Sequence, residues 1–506
     1  MNTFRTLLGA SILCLVMGVL TVRPAKAQTG DSSAAGAQTE HMAETEGAAV
    51  EESHTLPPNW MVVPFAALLL MIATGPLFYK HFWEHNYHKV AVALGTVTVV
   101  YYLVVLQNSH SLVHTLAEYI SFISLLTALF VASGGILITV DKKATPGVNV
   151  ALLAFGCVIA NLIGTTGASM LLIRPFLRIN KGRVKPYHVV FFIFLVSNVG
   201  GALTPIGDPP LFLGFLKGVP FFWVIEHVLH VWLLVAALLL LIFYIIDRRN
   251  TEGVDSSIAY TGKINIRGQK NFVYLALVIL AVFMDPNVIH GFPDLQTMLH
   301  VPFGIREIMM FAIAYVAYKT ADREALAGNE FNFAPIKEVA WLFIGIFATM
   351  IPALQIVQHE ASGKEMQDIL TPGMFFWSTG MLSSFLDNAP TYLSFLSAAA
   401  GKFALPGGMD ALKNFADLEH AMGASDVSWM MGIFHITEFE EYLLAISLAA
   451  VFFGANTYIG NGPNFMVKSI AEQSGIECPS FFGYIIKYTL PILIPIFTLV
   501  WLLFFA

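Results

Sequence analysis

The residues best suited to chemistry are two aspartates, Asp208 and Asp387, because each interrupts a long apolar stretch of the chain. Asp208 lies in the segment 201–210 (GALTPIGDPP), whose glycines and prolines cannot continue a regular helix. An ionisable side chain within a membrane segment is energetically costly, so it is a functional-site hypothesis by default. The two aspartates are therefore our first candidates for a binding site.

The segment 201–210 has a second copy later in the chain. Residues 454–463 (GANTYIGNGP) repeat its Gly, Ala, Thr, Ile, Gly and Pro in register, and Asn461 stands where Asp208 stands in the first copy. Two interrupted apolar segments in corresponding places of two halves are the best sequence pointer to a transporter's binding site. The repeat therefore predicts a site built from both halves.

Uncharged, oxygen-bearing side chains accompany the aspartates in these segments and in two further interrupted stretches, 148–173 and 371–400. Carboxylate, amide and hydroxyl oxygens, with carbonyls freed by a helix break, suit hard cations such as Na⁺. We predict Na⁺ ligands at Asp208, Asp387, Asn388 and Asn161, within a wider cation- and proton-binding set that adds Thr165, Thr204, Thr391, Asn456, Thr457 and Asn461. For each Asn and Thr the alternative is that it only caps backbone groups at a helix break.

The sign of the charge at these positions discriminates between cargoes. The segments 161–166, 197–210, 384–391 and 454–463 contain both aspartates and no Lys or Arg. A multivalent anion would meet uncompensated negative charge there, which is costly at low dielectric constant, whereas a cation or a proton would not. Competition between Na⁺ and H⁺ for the same carboxylates is a complete physical scheme for exchanging one ion against the other.

The elements that must position these residues are membrane-spanning helices. The chain has 506 residues, of which 56% are hydrophobic and 12% are charged, whereas about 25% are charged in soluble domains. Its apolar windows have the length that a helix needs to cross a bilayer. We predict an all-α polytopic membrane protein with about ten spans, at 60–79, 88–107, 114–140, 187–203, 219–246, 271–289, 303–319, 333–358, 432–453 and 481–505.

The stretches 148–173 and 371–400 carry polar and small residues near their middles, which favours re-entrant helical hairpins over plain spans. With these hairpins and an N-terminal tail outside, the loops rich in Lys and Arg fall on the cytoplasmic side. The first hairpin then enters from the cytoplasm and the second from outside, so we predict an inverted-topology repeat. Each half also contains one broken helix, at 201–210 and at 454–463.

The N-terminal region has the features of a secretory signal, because an apolar stretch follows Arg5 and residues 25–27 (AKA) match a small-x-small cleavage site. The alternative for this region is an uncleaved first span. We divide the chain into a signal peptide (1–27), a disordered extracytoplasmic tail (28–59), a first transmembrane half (60–250), a cytoplasmic linker (251–270) and a second transmembrane half (271–506). The expected location is the bacterial inner membrane.

Three motifs resemble those of a known group: 386–391 (LDNAPT), 207–210 (GDPP) and the repeated Gly-Ala-x-Thr. They are similar to the ion-transporter superfamily, most closely to its sodium:proton antiporter branch (NhaD-like), near the citrate-transporter-like proteins. The resemblance covers residues 60–505 and implies an alternating-access carrier, elevator-type or rocking, that forms a homodimer. Antiporters of this branch commonly carry Asp-Asn in the first hairpin, whereas this chain has Ala160-Asn161.

Our leading hypothesis from the sequence is a secondary Na⁺/H⁺ antiporter in the lipid bilayer, with Li⁺ as a further ion that it could carry. The alternative is an Na⁺- or H⁺-coupled carrier of a di- or tricarboxylate or small oxyanion, and a non-transporting receptor or scaffold is a third hypothesis. The sequence shows no hydrolytic triad, phosphate loop or nucleotide motif, so we expect neither an enzyme nor a resident cofactor. The lack of a basic block argues against nucleic-acid binding.

Overall fold

The computed structural model describes residues 56–506 except 141, 143, 251–261, 287, 290–291, 294, 300, 404–426 and 430–433. The predicted signal peptide (1–27) and nearly all of the predicted tail (28–59) lie outside these residues. Within the described part of the chain, 8 helices are long and apolar enough to cross a membrane. The predicted all-α polytopic membrane fold is therefore confirmed.

The first half begins with a short 3₁₀ turn, Asn59–Val62, and three long helices: α1 (Val63–Phe78), α2 (Lys80–Val104) and α3 (Ser109–Gly134). A short strand and the elements that carry the first set of predicted site residues follow. They are β1 (Leu137–Val140), α4 (Pro146–Ile179), α5 (Pro186–Leu195), a 3₁₀ turn (Val199–Leu203), α6 (Pro209–Lys217) and α7 (Phe221–Arg248).

Strand β2 (Ile264–Arg267) lies within the predicted linker. The second half starts with a group of helices of mixed length: α8 (Lys270–Val282), α9 (Leu295–Leu299), α10 (Ile305–Thr320), α11 (Arg323–Gly328), α12 (Ala334–Ala361) and α13 (Lys364–Gln367). The elements that carry the second set of predicted site residues follow: α14 (Pro372–Ser383), α15 (Asn388–Lys402), β3 (Val427–Trp429), β4 (Phe434–Ile436), α16 (Glu438–Phe453), a 3₁₀ turn (Gly454–Asn456) and α17 (Gly462–Gln473). The chain ends with α18 (Phe481–Tyr484), a π-helical segment (Ile485–Leu493) and α19 (Ile494–Phe504).

Helix α4 is a hairpin and not a single straight span. A straight helix of its 34 residues would be about 50 Å long. Yet Asn149 near its start and Asn180 just past its end exchange two hydrogen bonds, at 2.9 and 2.8 Å. The reversal falls at Gly164, whose φ of 77° is left-handed, a conformation that glycine adopts without the steric penalty of a Cβ. The first predicted hairpin is therefore present.

Helices α14 and α15 form the second hairpin, and the chain reverses between Ser383 and Asn388. Both outer ends of this hairpin contact the same side chain of α16. The rings of Phe375 and Phe403 have their centroids 5.1 and 5.2 Å from that of Tyr442. The two ends therefore lie close together, as the sequence predicts.

Each broken helix contains a turn in which two glycines touch. A Cβ on Gly207 would overlap the backbone oxygen of Gly201, and a Cβ on Gly460 would lie 2.6 Å from the backbone oxygen of Gly454. Any side chain at these positions would force the turns open. The glycines repeated in the sequence are therefore those that allow the helices to break and to resume.

The most buried helices are α5 and α16, which lead into the two breaks. Every side chain from His188 to Leu195 is buried in α5, and so is every one from Tyr442 to Phe453 in α16. Val97, Val100 and Leu103 of α2 are instead exposed, and an exposed apolar face of this kind suits the hydrocarbon core of a bilayer. The breaks therefore lie in the interior of the protein, away from the helices that face lipid.

Some predicted spans are shorter than expected: that at 271–289 becomes α8, which ends at Val282, and that at 432–453 becomes α16, which begins at Glu438. The span predicted at 114–140 becomes α3, which ends at Gly134, and the residues Leu137–Val140 form β1, paired antiparallel with β2. Two side-chain amides fix the end of α3: Asn271 donates to the carbonyl of Ala132, and Asn329 donates to the carbonyl of Gly134. Because these partners are distant in sequence, the apolar run alone could not reveal the strand.

Candidate functional site

Each hairpin tip is held by a threonine of the broken helix that follows it. The Thr204 hydroxyl donates to the backbone oxygen of Asn161, at 2.6 Å. In the second half, the Thr457 hydroxyl donates to the backbone oxygen of Ser384. Each threonine also accepts a hydrogen bond from the amide of the glycine three residues later, at 3.1 Å. The repeated motif thus builds the same local structure twice.

Asp208 lies at the centre of the site, just before α6, and is 1% exposed. Three neutral groups donate to its carboxylate: the Thr165 hydroxyl to Oδ1 at 2.7 Å, Asn461 Nδ2 to Oδ1 at 3.1 Å, and Asn388 Nδ2 to Oδ2 at 2.6 Å. The donors come from the first hairpin, the second broken helix and the second hairpin. All four segments singled out in the sequence therefore meet at this carboxylate.

Asp387 lies beside the centre of the site, at the tip of the second hairpin. Its Oδ1 accepts from the amide of Ala389 at 3.1 Å, and its backbone oxygen accepts from the Thr391 hydroxyl at 2.9 Å. Its side chain is partly buried, whereas its neighbour Asn388 is fully buried and contacts Asp208. Asp387 is therefore one residue removed from the contact that joins the second hairpin to the first half.

Two buried amide oxygens of the site have no hydrogen-bond partner among the described residues: Oδ1 of Asn388 at the second hairpin tip and Oδ1 of Asn456 in the second break. The nitrogen of Asn388 is held by Asp208, which sets the direction of its oxygen. The nitrogen of Asn456 donates to the Ser384 hydroxyl, which itself donates to the backbone oxygen of Gly380. Buried unsatisfied acceptors are rare and call for an explanation such as an ion. Both oxygens are suited to a cation.

Two other buried carboxylates among the described residues have an arginine partner, which Asp208 lacks. Asp247 lies 2.8 Å from Arg183, and Glu307 lies 2.7 Å from Arg306. No described Lys, Arg or His forms an ion pair with Asp208, whose contacts are the three neutral donors. A buried charge without a partner is strongly destabilising. The site can therefore take up a cation or a proton without first displacing a basic side chain.

A family model described as "Putative citrate transport" matches residues 53–505. The chain belongs to this citrate transport family. No curated protein matches the chain. With its membrane-spanning helices, the chain is a multi-pass membrane protein of a secondary transporter family for citrate-like substrates. The predicted citrate-transporter-like family is confirmed, whereas membership of the sodium:proton antiporter branch stays a prediction.

In this member of the citrate transport family, the polar atoms of some predicted site residues form hydrogen bonds with the backbone. Asn161 donates to the Cys157 carbonyl at 3.1 Å and accepts from the Leu203 amide at 2.9 Å. The hydroxyls of Thr204, Thr391 and Thr457 donate to backbone oxygens. Their contacts fit the alternative interpretation, in which they cap groups freed by a helix break.

The sequence interpretation missed three buried polar residues of the transporter's site: Asn198, Ser384 and Asn464. Asn198 Nδ2 donates to Asn464 Oδ1 at 2.7 Å, which joins the two broken helices directly. Asn198 and Asn464 lie just outside the two copies of the repeated motif, 201–210 and 454–463, on which the choice of polar residues was centred. Asn464 also has an apolar counterpart in the first copy, Leu211, so the repeat gave no hint of it.

Proposed function

We propose that this transporter exchanges Na⁺ for H⁺ by alternating access, with Asp208 as the carboxylate that binds either ion. The observation that carries the proposal is the environment of Asp208, which is buried, contacted by neutral donors, and next to the unpartnered oxygen of Asn388. A cation at this position would experience the full carboxylate charge, because no basic side chain of the described residues neutralises it.

The same neighbours serve both ions in this scheme. When a proton binds Oδ2 of Asp208, that atom becomes a donor, and the Asn388 amide turns so that its Oδ1 accepts. When Na⁺ binds, the same turn presents the Asn388 oxygen to the ion, while Thr165 continues to donate to Oδ1. Na⁺ and H⁺ exclude each other because both need the same side of the Asp208 carboxylate.

Asp387 supplies a second carboxylate in the proposed ion path. It is partly exposed at the hairpin tip, next to Asn388, so an ion would meet it before reaching Asp208. Asn456 of the second break contacts Ser384 at this tip through its nitrogen, and its unpartnered oxygen adds a further ligand. Asn161, which the sequence also suggested as a ligand, uses both ends of its amide on the backbone. We therefore leave it out of the proposed ion shell.

The family match favours a second candidate function, the transport of citrate or another di- or tricarboxylate together with Na⁺ or H⁺. Helices α6, α15 and α17 all begin at residues of the site, and a helix N-terminus attracts anions. In this scheme the cation at Asp208 offsets the negative charge before the carboxylate binds. The two candidate functions therefore share the same cation-binding group.

We further propose that the halves form an inverted-topology repeat in the bacterial inner membrane, as a homodimer, with a cleaved signal peptide and the N-terminal tail outside. The equivalent threonine contacts in the two halves support this arrangement. Cysteines introduced one at a time into the predicted outside loop 107–113 and the predicted inside loop 174–185, without native cysteines, test the orientation. A membrane-impermeant thiol reagent added to intact cells should label only the first loop.

Transport by purified protein in proteoliposomes distinguishes the two candidate functions. In liposomes with an acidic interior and a pH-sensitive dye, an antiporter dissipates the pH gradient when Na⁺ is added, and K⁺ is the control cation. Uptake of radiolabelled citrate, with and without an Na⁺ gradient, tests the second function. If Na⁺ drives citrate uptake but Na⁺ alone does not change the pH gradient, the antiporter hypothesis is rejected in favour of the citrate carrier. Absence of both activities would reject the proposed function.

A further inference from the structure

A continuous chain of buried hydrogen bonds joins Asp208 to the second broken helix. It runs from Asp208 through Asn461, Asn198 and Asn464 to the turn at 454–457. We propose that Asn198 and Asn464 are positioning residues that transmit the occupancy of Asp208 to the turn at 454–457. The inference rests on the proposed function, because it requires that an ion or a proton binds Asp208.

The chain begins at the amide of Asn461, which has more acceptors than hydrogens. Its Nδ2 lies 3.1 Å from Oδ1 of Asp208, 3.2 Å from Oδ1 of Asn198 and 3.1 Å from the backbone oxygen of Ser197. A side-chain amide has two N–H donors, so the three acceptors compete for them. When an ion or a proton binds Asp208, Asn461 becomes available to Asn198 and Ser197. The state of Asp208 therefore changes how Asn198 is held.

A change at Asn198 also affects Asn464, because both N–H groups of the Asn198 side chain already form hydrogen bonds. They donate to the backbone oxygen of Ile193 at 2.8 Å and to Oδ1 of Asn464 at 2.7 Å. The side chain is 0% exposed, and a Cβ on Gly454 would lie only 2.9 Å from its Oδ1. Because Asn198 is buried and has little space around it, a shift of its side chain must be accommodated by Asn464.

Asn464 in turn holds the second break in shape. It is 0% exposed, and its Nδ2 donates to the backbone oxygens of Gly454 and Thr457, at 2.8 and 2.9 Å. These carbonyls are left free where the helix breaks, and they enclose the residue Asn456, whose side-chain oxygen has no partner among the described residues. Asn464 thus determines where the turn presents that oxygen.

The repeat provides no equivalent amide connection from the second half to the first break. In the register of the repeat, Asn198 corresponds to Val451 and Asn464 corresponds to Leu211. These apolar side chains cannot hold the first break from the second half. Removing the link at Asn198 should therefore uncouple the turn at 454–457 from Asp208, while the direct contacts of Asn461 and Asn388 with Asp208 and the response of the first half stay in place.

Hydrogen exchange measured by mass spectrometry on the purified full-length protein tests this inference. We expect Na⁺, compared with K⁺ at equal ionic strength, to slow exchange in both 197–208 and 454–458, a segment that contains the turn and leaves out Asn461. In Asn198→Leu, which removes the polar atoms at similar volume, 197–208 should keep its Na⁺ response. The response of 454–458 should fall about fivefold or more, since two coupled sites typically affect each other by at least this factor.

Two further variants make the outcome decisive. Ser169→Ala is the matched control, because it removes a buried hydroxyl that contacts Ser197 at 2.8 Å but does not belong to the chain of amides. It should respond to Na⁺ as the wild type does. Asn198→Ser is a milder change that cannot reach Asn464, and unchanged exchange in 438–453 verifies that each variant is folded.

The possible results separate the inference from the proposed function. If 454–458 responds to Na⁺ in the Asn198 variants as in the wild type, or if both segments lose their response together, the coupling is overturned while Na⁺ binding stands. If neither Asn198 variant folds but Ser169→Ala does, the role of Asn198 is structural and the coupling is again overturned. If the wild type shows no Na⁺ response in either segment, the proposed function itself fails.

Discussion

The substitution Asp208→Asn should leave a folded protein that no longer carries Na⁺. The carboxylate accepts from Thr165 and Asn461 through Oδ1 and from Asn388 through Oδ2. In the variant, Oδ1 can still accept from the first two residues, while the new nitrogen faces the nitrogen of Asn388. Asn388 removes this clash by turning its amide, which gives its unpartnered oxygen a donor. The hydrogen-bond network therefore survives the loss of the charge.

The effect of Asp208→Asn on Na⁺ affinity can be estimated from Coulomb's law. A carboxylate charge about 3 Å from Na⁺ contributes about 5 kcal/mol at an effective dielectric constant of about 20. Because a tenfold change in affinity corresponds to about 1.4 kcal/mol, apparent Na⁺ affinity should fall by about a thousandfold or more. The free energy of unfolding should stay within about 1 kcal/mol of the wild type or rise, since a buried unpaired charge is removed.

The Na⁺-dependent loss of a pH gradient in proteoliposomes and thermal unfolding in detergent measure these two quantities. The matched control is Asp247→Asn, because Asp247 is also fully buried but lies 2.8 Å from Arg183. Leaving Arg183 without its partner should cost about 3–5 kcal/mol of stability, while the folded fraction should still bind Na⁺. The reasoning is refuted if Asp208→Asn keeps wild-type Na⁺ affinity, or if it unfolds as readily as Asp247→Asn.

Three further substitutions test other parts of the site. Asp387→Asn should abolish exchange in the same assay without loss of folded protein, and full activity would remove Asp387 from the mechanism. Asn388→Leu removes a donor to the carboxylate of Asp208 and also an unpartnered oxygen. The Na⁺ concentration for half-maximal transport should therefore rise about tenfold, which corresponds to about 1.4 kcal/mol. An unchanged concentration would show that Asn388 only positions the hairpin. Gly207→Ala should lower stability by about 1–3 kcal/mol, seen as a lower Tm, because its Cβ would overlap a backbone oxygen. Gly147→Ala, where a Cβ meets open space, is its control, and equal Tm changes would contradict the argument.

Local sequence predicted most of the fold because crossing a bilayer requires long apolar windows. The same windows could not separate α3 from β1, since the end of α3 depends on side-chain amides of Asn271 and Asn329, far along the chain. The hairpins were predictable from their polar middles, where Gly164 and the residues before Asn388 reverse the chain. Features encoded within one segment were therefore accessible, and those that depend on contacts between segments were not.

The repeat predicted which segments converge, but not how their atoms are arranged. Asp208 and Asn461 occupy equivalent positions, and the structure brings them to 3.1 Å. The direction of the Asn388 amide could not be predicted, because it is set by a partner from the other half. Asn198 and Asn464 were missed for the same reason, since neither is distinctive until the two broken helices are packed together.

The charge of the site imposes an order on any carboxylate transport. A citrate-like anion near the N-termini of α6, α15 and α17 would also approach Asp208 and Asp387. At a separation of about 5 Å and an effective dielectric constant of about 20, each pair of like charges repels by about 3 kcal/mol, a factor of about a hundred in affinity. A cation or proton on Asp208 removes this repulsion. Both candidate functions therefore require the same first event, cation or proton binding at Asp208, and they differ in what binds next.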